Sequence, residues 1–226
     1  MRARDVMVRA VATTSPDTAV EELARLMINL RVSGVPVLDR DGRLVGIVTE
    51  GDLLRRVETG TERYRPRRSE PFSSNSRLVA EYIKSHAKRV ADIMTREVFS
   101  VEEMATLGEI ADLLETKHFK LVPVVHDGKI VGIVSRADLL KVLASGGTKT
   151  AHEEQDRTIR AQLLAELREQ KWADASEGRV VVSDGVVHLW GIVGSENERR
   201  ALRIAAENIP GVRGIEDHMD LVPLNW

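Results

Sequence analysis

Two stretches of this chain repeat each other, and that repetition limits what it can fold into more than any other feature. DVMVRAVATTSPDTAVEELARLM begins at Asp5, and DIMTREVFSVEEMATLGEIADLL begins at Asp92. Further along, VPVLDRDGRLVGIVTEGDLLRRV (Val35 to Val57) returns as VPVVHDGKIVGIVSRADLLKVL (Val122 to Leu143), one residue shorter before its turn glycine. Self-similarity at a fixed spacing means that one supersecondary unit is used twice.

Each copy has the same pattern. A short extended piece carrying Val11 or Val98 leads to an amphipathic helix. Its buried face is expected at Val20, Leu23, Ala24, Met27 and Ile28 in the first copy and at Leu107, Ile110, Ala111 and Leu114 in the second, because steps of three, four and seven line up on one side of a helix. Two β-branched runs follow, Val35 to Leu38 and Leu44 to Val48, split by the glycine turn Asp39 to Gly42, which is a hairpin pattern. A second helix is expected near Thr49 or Ser135, carrying Leu53-Leu54 or Leu139-Leu140. A unit of strand, helix, strand, strand, helix over roughly 50 residues buries little surface by itself, so the copies are expected to pack on each other.

Residues 59–90, between the copies, contain eight basic and three acidic side chains, a net of +5. Pro66, Pro71 and the Ser/Asn cluster mark a loop, and Leu78, Tyr82 and Ile83 suggest a short helix leading into the second copy. After Ser145-Gly146-Gly147, a flexible linker by composition, the pattern changes. Asp156 to Lys171 has a helical stripe at Ile159, Leu163, Leu164 and Leu167. Val180 to Val182 and Val186 to Val193 flank Asp184-Gly185, a two-residue hairpin turn. Ser195 and Glu198 spell a capping box before a helix through Leu202, Ile204, Ala205 and Ile209. Pro210-Gly211 ends it, and Val212 to Val222 reads as a last strand. The module order is α-β-β-α-β.

The chemistry excluded is extensive. None of the 226 residues is cysteine, which removes disulfide scaffolds, thiolate metal sites and cysteine nucleophiles. The 33 basic against 35 acidic side chains give a net charge of −2. In such a near-neutral chain the Arg63 to Arg68 run reads as solvated linker rather than a nucleic-acid surface. No apolar stretch has signal-peptide or membrane-span character, so a cytoplasmic protein is expected. His86, His118, His126, His152, His188 and His218 show no metal spacing of the H-x-x-x-H kind, so no metal ligand is assigned. No nucleophile elbow, phosphate-cradling glycine loop or dinucleotide fingerprint occurs, and a non-enzymatic protein is expected.

The sharpest local feature is itself repeated: Gly46-Ile47-Val48-Thr49-Glu50-Gly51-Asp52 and Gly132-Ile133-Val134-Ser135-Arg136-Ala137-Asp138. A hydroxyl followed three residues later by a carboxylate is a capping box and needs no ligand. The same junction aims free backbone N–H groups and a positive dipole end outward. There the hydroxyl can donate to phosphate while the carboxylate accepts from ribose. Together with the D-[VI]-M openings and the SGVPV segment, these motifs resemble the CBS domain, over about residues 1–144 as a tandem pair. The resemblance implies a pseudo-twofold pair with two clefts for adenosyl ligands such as AMP, ATP or S-adenosylmethionine. It places Asp52 and Asp138 on ribose, and Thr49 and Ser135 on phosphate. Gly34, Val35 and Pro36, and Leu121, Val122 and Pro123, would contact adenine, with Thr13 and Ser100 as further contacts. The second copy has Lys120 and Arg136 where the first has Ser33 and Glu50. Since charge-assisted hydrogen bonds are the stronger ones, phosphorylated ligand is expected there first.

The last module resembles the BON domain, through Asp156-x-x-Ile159, the V-x-x-DG-x-V-x-L-x-G hairpin and Ile209-Pro210-Gly211-Val212-x-x-Ile215. That family is associated with phospholipid binding. Residues 151–226 carry fourteen acidic and nine basic side chains, a net of −5, which anionic lipid repels. Membrane contact would need a local basic or apolar face near Trp172 or Trp190, and both indoles are expected in the core.

The whole is expected to be a mixed α+β protein of two β-α-β-β-α repeats plus a small α-β-β-α-β domain. The divisions are repeat 1 at 1–58, basic linker with short helix at 59–90, repeat 2 at 91–144, linker at 145–153 and BON domain at 154–222. The implied function is adenosine-nucleotide sensing, with no cofactor required beyond the effector. Ligand in the CBS pair would move the C-terminal module through the linker at Ser145 to Thr148. Expected partners are the nucleotide, a second copy in a homodimer, and a protein or phospholipid at the BON domain. The alternative is a constitutive scaffold or membrane-surface adaptor whose clefts stay empty.

Overall fold

A computed structural model describes residues 1–61, 75–146, 152–173 and 179–222, with side chains omitted at 75–78. The Arg63 to Arg68 run, Gly147 and Thr148 lie outside the described residues. In chain order the first repeat and the segment after it contain α1 (Ala3–Val6), α2 (Val20–Leu30), β1 (Gly34–Leu38), β2 (Leu44–Thr49), α3 (Glu50–Leu53), a 3-10 turn at Val57–Thr59 and α4 (Asn75–His86). The second repeat contains α5 (Val90–Ile93), β3 (Val101–Glu102), α6 (Leu107–Thr116), β4 (Leu121–His126), β5 (Lys129–Ser135) and α7 (Arg136–Ala144). The last module contains α8 (Glu153–Glu169), β6 (Val180–Ser183), β7 (Val186–Val193), α9 (Glu196–Glu207) and β8 (Gly214–Leu221). Mixed α+β character and the order of the last module are as expected.

The chain forms two compact bodies, and their composition is not simply repeat by repeat. One body is Met1–Ala10, Val101–Val125 and Val131–Trp226; the other is Val11–Ser100 with His126–Ile130. The opening segment of each repeat therefore completes the core of the other. Ala3, Val6 and Met7 are buried with Ile110, Leu114, Val122, Val124, Val134 and Val142. Val90, Ile93 and Met94 are buried with Val20, Leu23, Met27, Val35, Val37 and Val48. Backbone pairing follows the same exchange: Val8 and Ile133 trade two hydrogen bonds of 2.9 Å, and Thr95 and Ile47 trade two of 2.9 and 3.0 Å.

Glycine makes this docking close. A Cβ at Gly132 would sit 2.5 Å from Met7 Sδ, and one at Gly46 would sit 2.5 Å from Met94 Sδ. The D-[VI]-M opening and the G-I-V strand thus fit each other across the exchange.

Three expectations need correction here. The extended opening pieces are nearly vestigial: a single parallel bridge joins Thr14 to Val37, and β3 is two residues long, parallel to β4. The buried stripe of α2 is narrower than the spacing suggests, since Val20, Leu23 and Met27 are buried but Ile28 is 74% exposed. Ile28 sits at the edge of the stripe, one turn before Arg31 ends the helix in the left-handed region. Ser145 is buried, closing α7 with its hydroxyl on the Lys141 carbonyl at 2.8 Å, rather than opening a linker.

The last module stacks α8 and α9 on a sheet ordered β6-β7-β8. β6 and β7 form the expected hairpin, with Asp184 and Gly185 both at positive φ, the backbone that such a two-residue turn requires. Asp156, buried on α8, accepts the Asp184 amide at 2.9 Å and the Gly185 amide at 2.7 Å. β8 runs parallel to β7 after the α9 crossover. The capping box at Ser195 is half formed: its hydroxyl accepts the Glu198 amide, but Glu198 reaches back to the Gly194 amide. Neither indole is core. Trp172 is 45% exposed, and Trp190 is partly exposed, stacked on the His218 ring at 4.0 Å. Ile, Leu and Val side chains, with Ala206 and Met219, fill the core. No helix among the described residues is long and apolar enough to cross a membrane.

Candidate functional site

Both repeats build the same helix mouth from local sequence. Thr49 and Ser135 end β2 and β5 in extended conformation and open α3 and α7. Asp52 Oδ2 accepts the Thr49 amide at 2.9 Å and its hydroxyl at 3.0 Å. Asp138 Oδ2 accepts the Ser135 amide at 2.9 Å and its hydroxyl at 2.6 Å. The amide after each cap is held by the residue preceding the other strand: Glu50 N–H donates to the Ser33 carbonyl at 3.0 Å, and Arg136 N–H to the Lys120 carbonyl at 3.1 Å. That bond brings the Gly34-Val35-Pro36 and Leu121-Val122-Pro123 strands beside the helix mouths.

The second oxygen of each aspartate meets a lysine that the sequence expectations did not include. Lys84 Nζ, on α4, lies 2.6 Å from Asp52 Oδ1. Lys141 Nζ, one turn along α7, lies 3.1 Å from Asp138 Oδ1. The Lys141 contact follows from an i, i+3 spacing on one helix and was legible. The Lys84 contact joins residues far apart in the chain and had no local signal. Asp138 is only 6% exposed, so its carboxylate is a shielded acceptor.

The other expected residues are placed as follows. Gly34, Val35 and Pro36 are buried on β1, and Leu121, Val122 and Pro123 are buried on β4. Thr13 is exposed next to Thr14, whose amide donates to the Pro36 carbonyl at 3.0 Å. Ser100 is exposed immediately before β3. Lys120 is exposed at the start of β4. The Arg136 guanidinium folds back onto backbone, Nε donating to the Phe119 carbonyl at 2.7 Å and Nη2 to the Leu114 carbonyl at 3.1 Å. It therefore touches α6 as well as the helix mouth.

A second group of residues ties this repeat to the last module. Asp5 accepts the Arg2 amide with Oδ2 at 2.6 Å and Arg157 Nε with Oδ1 at 2.5 Å. Arg160, buried, donates from Nε to the Val180 carbonyl at 3.0 Å and from Nη2 to the Met7 carbonyl at 3.3 Å. Burial, with Arg9 adding to it, pushes its guanidinium down to about 10, against the opposing pull of Asp5 and Asp138.

A tandem repeat with paired hydroxyl–carboxylate helix mouths, followed by a small α-β-β-α-β module, is the architecture of a paired-repeat protein with an added C-terminal domain. The chain belongs to the CBS-domain family, which it matches over residues 3–59 and 90–145, and it carries a BON domain over residues 155–223. Among relatives, an uncharacterized protein of Methanocaldococcus jannaschii is 30% identical over 154 residues, 63% of this chain and 91% of that protein. The chloroplastic CBS domain-containing protein CBSX1 of Arabidopsis thaliana is 35% identical over 135 residues, covering 56% of each chain. The match thus spans little more than half of CBSX1. Among solved structures, that of CBSX2 in complex with AMP, an Arabidopsis thaliana protein, has a TM-score of 0.56 and 28% identity. The likeness covers 64% of this chain and 97% of that one.

Proposed function

We propose that this protein is a non-enzymatic, cytoplasmic regulator, working as a homodimer, whose CBS pair senses an adenosyl ligand (AMP, ATP or S-adenosylmethionine) and relays its binding to the BON domain. The observation that carries this is the likeness of the tandem repeat to CBSX2, which was crystallised with AMP. In the proposed complex the second helix mouth is filled first. Asp138 accepts from ribose hydroxyls through the lone pairs that Ser135 and Lys141 leave, and the buried Leu121-Val122-Pro123 strand packs on the base. Ser135 and Lys120 bind the anionic group, joined by Arg136 once its guanidinium leaves the Phe119 and Leu114 carbonyls and by Lys141 turning from Asp138. At the first mouth Thr49, Asp52 and the Gly34-Val35-Pro36 strand play the same parts, Lys84 standing where Lys141 stands in the second. Thr13 and Ser100 contribute at the edges.

A ligand shifts a protein between conformations only by its differential affinity for them. Here the element to be shifted is the contact of Asp5 and Met7 with Arg157 and Arg160, which gives the BON domain a route to the second repeat besides the linker that follows α7. The BON domain would then present a protein-binding or lipid-binding surface according to ligand.

A constitutive scaffold with empty clefts is the alternative, and one observation favours it: both oxygens of each aspartate already have partners within the protein. Calorimetric titration and thermal melting with AMP, ATP and S-adenosylmethionine separate the two. A ligand at 100 times its dissociation constant adds ~2.7 kcal/mol, and Asp138→Ala is expected to weaken binding at least tenfold while Asp52→Ala weakens it less. Unchanged melting with all three ligands supports the scaffold. Binding lost in Asp52→Ala but kept in Asp138→Ala reverses the order of the clefts.

A further inference from the structure

The expectation of scattered histidines without metal spacing overlooked what a parallel strand pair brings together. His188 lies on β7 directly opposite Glu216 on β8, and His218 is two residues further along β8, opposite Trp190. Residues two apart on a strand point to one face, so Glu216 and His218 flank His188 from the same side.

Their donor atoms form a small, nearly equilateral triangle. His188 Nδ1 lies 3.3 Å from Glu216 Oε2 and 3.4 Å from His218 Nε2, and His218 Nε2 lies 3.5 Å from Glu216 Oε2. A tetrahedral ion with nitrogen and oxygen ligands at about 2.0–2.2 Å has ligand-to-ligand edges of about 3.3–3.6 Å. The triangle is therefore one face of such a tetrahedron. The two imidazole planes are within 6° of parallel and their centroids are 5.6 Å apart, so the nitrogens face each other across a narrow gap.

The surroundings suit a metal more than a structural polar pair. His188 is 4% exposed, and the Trp190 ring stacked within 14° of parallel on His218 restrains the second imidazole. The Glu216 side chain is 57% exposed, which leaves the fourth vertex open toward solvent. Two imidazoles, a carboxylate and a water make a donor set suited to zinc and other first-row divalent ions.

We propose that His188 Nδ1, Glu216 Oε2 and His218 Nε2 form a zinc site on the β7–β8 pair of the BON domain, with water as the fourth ligand. The ion would cross-link the parallel strands and lock the face that carries Trp190. This site is separate from the helix mouths and does not depend on nucleotide binding.

The test uses the full chain, freed of metal with a chelator and titrated with zinc and with cobalt(II). One ion per chain is expected, with the intense visible absorption of tetrahedral cobalt(II) and a raised melting temperature. Glu216→Gln, at an exposed side chain, and His218→Gln should each weaken binding at least tenfold, with His126→Gln, at an exposed histidine outside the cluster, unchanged. A pale, octahedral cobalt spectrum, undiminished affinity in His218→Gln, or equal loss in His126→Gln would overturn the site. In that event the triangle is a proton-sharing cluster. Circular dichroism on each variant separates lost binding from lost fold, and Glu216→Gln alone remains decisive if His218→Gln does not fold.

Discussion

Asp156 shows how one side chain can set the geometry of a module. Its two oxygens accept the consecutive amides of Asp184 and Gly185, the left-handed pair at the tip of the β6–β7 hairpin. A carboxylate at that point both satisfies two donors and fixes α8 over the turn. Removing it leaves amides without an acceptor, at roughly 1–3 kcal/mol for each buried group. Asp156→Ala is therefore expected to destabilise the module by roughly 2–4 kcal/mol in chemical denaturation, with Asp156→Asn intermediate because one acceptor oxygen remains. Stability within about 0.5 kcal/mol of wild type, the range of an ordinary surface substitution, would show that water replaces the carboxylate. The D-G turn was legible in the sequence, as was the helix beginning near Asp156; that the two belong together was not, because 28 residues separate the partners.

At the scale of elements, the exchange of opening segments is the dominant packing event. Methionine is the side chain that can fill the irregular gap above a glycine strand, and both repeats place one there: Met7 on Gly132 and Met94 on Gly46. Gly132→Ala is expected to cost about 1–3 kcal/mol from overpacking. The penalty should shrink in a Met7→Ala background, and a double-mutant cycle by urea denaturation measures that coupling. Additive effects would mean that Met7 does not press on the strand. The same reciprocity shows why neither repeat needs to be stable alone: each lacks the helix and pairing strand that the other supplies. Repetition in the sequence announced two equal units. It could not announce the exchange, since the hydrophobic pattern of D-[VI]-M is the same whichever sheet receives it.

Across the whole molecule, the BON domain and the second repeat share one compact body with the opening segment of the chain between them. Arg157 on Asp5 and Arg160 on the Met7 carbonyl are polar links between them, beside the Met1 amine on Glu153 at 2.6 Å. Replacing both by alanine removes an ion pair and a buried donor, so the BON domain should unfold separately from the repeat. Differential scanning calorimetry would then resolve an additional transition. Tryptophan fluorescence assigns it, because Trp172, Trp190 and Trp226 all fall in the last part of the chain. A single transition unchanged in the double variant would remove this contact as a relay.

The sequence by itself determined the elements and the local chemistry: the tandem repeat, the helix stripes, the D-G hairpins, and the hydroxyl–carboxylate pairs at Thr49–Asp52 and Ser135–Asp138. All of these depend on spacings of two to four residues, which backbone geometry translates directly into shared faces and caps. Only the tertiary structure decided that Lys84 meets Asp52, that the two repeats trade their openings, that Arg160 lies under Met7, and that His188 stands beside Glu216 and His218. Those contacts join residues from 28 to 153 positions apart. Their partners are chosen by the path of the chain, and no local periodicity encodes that path.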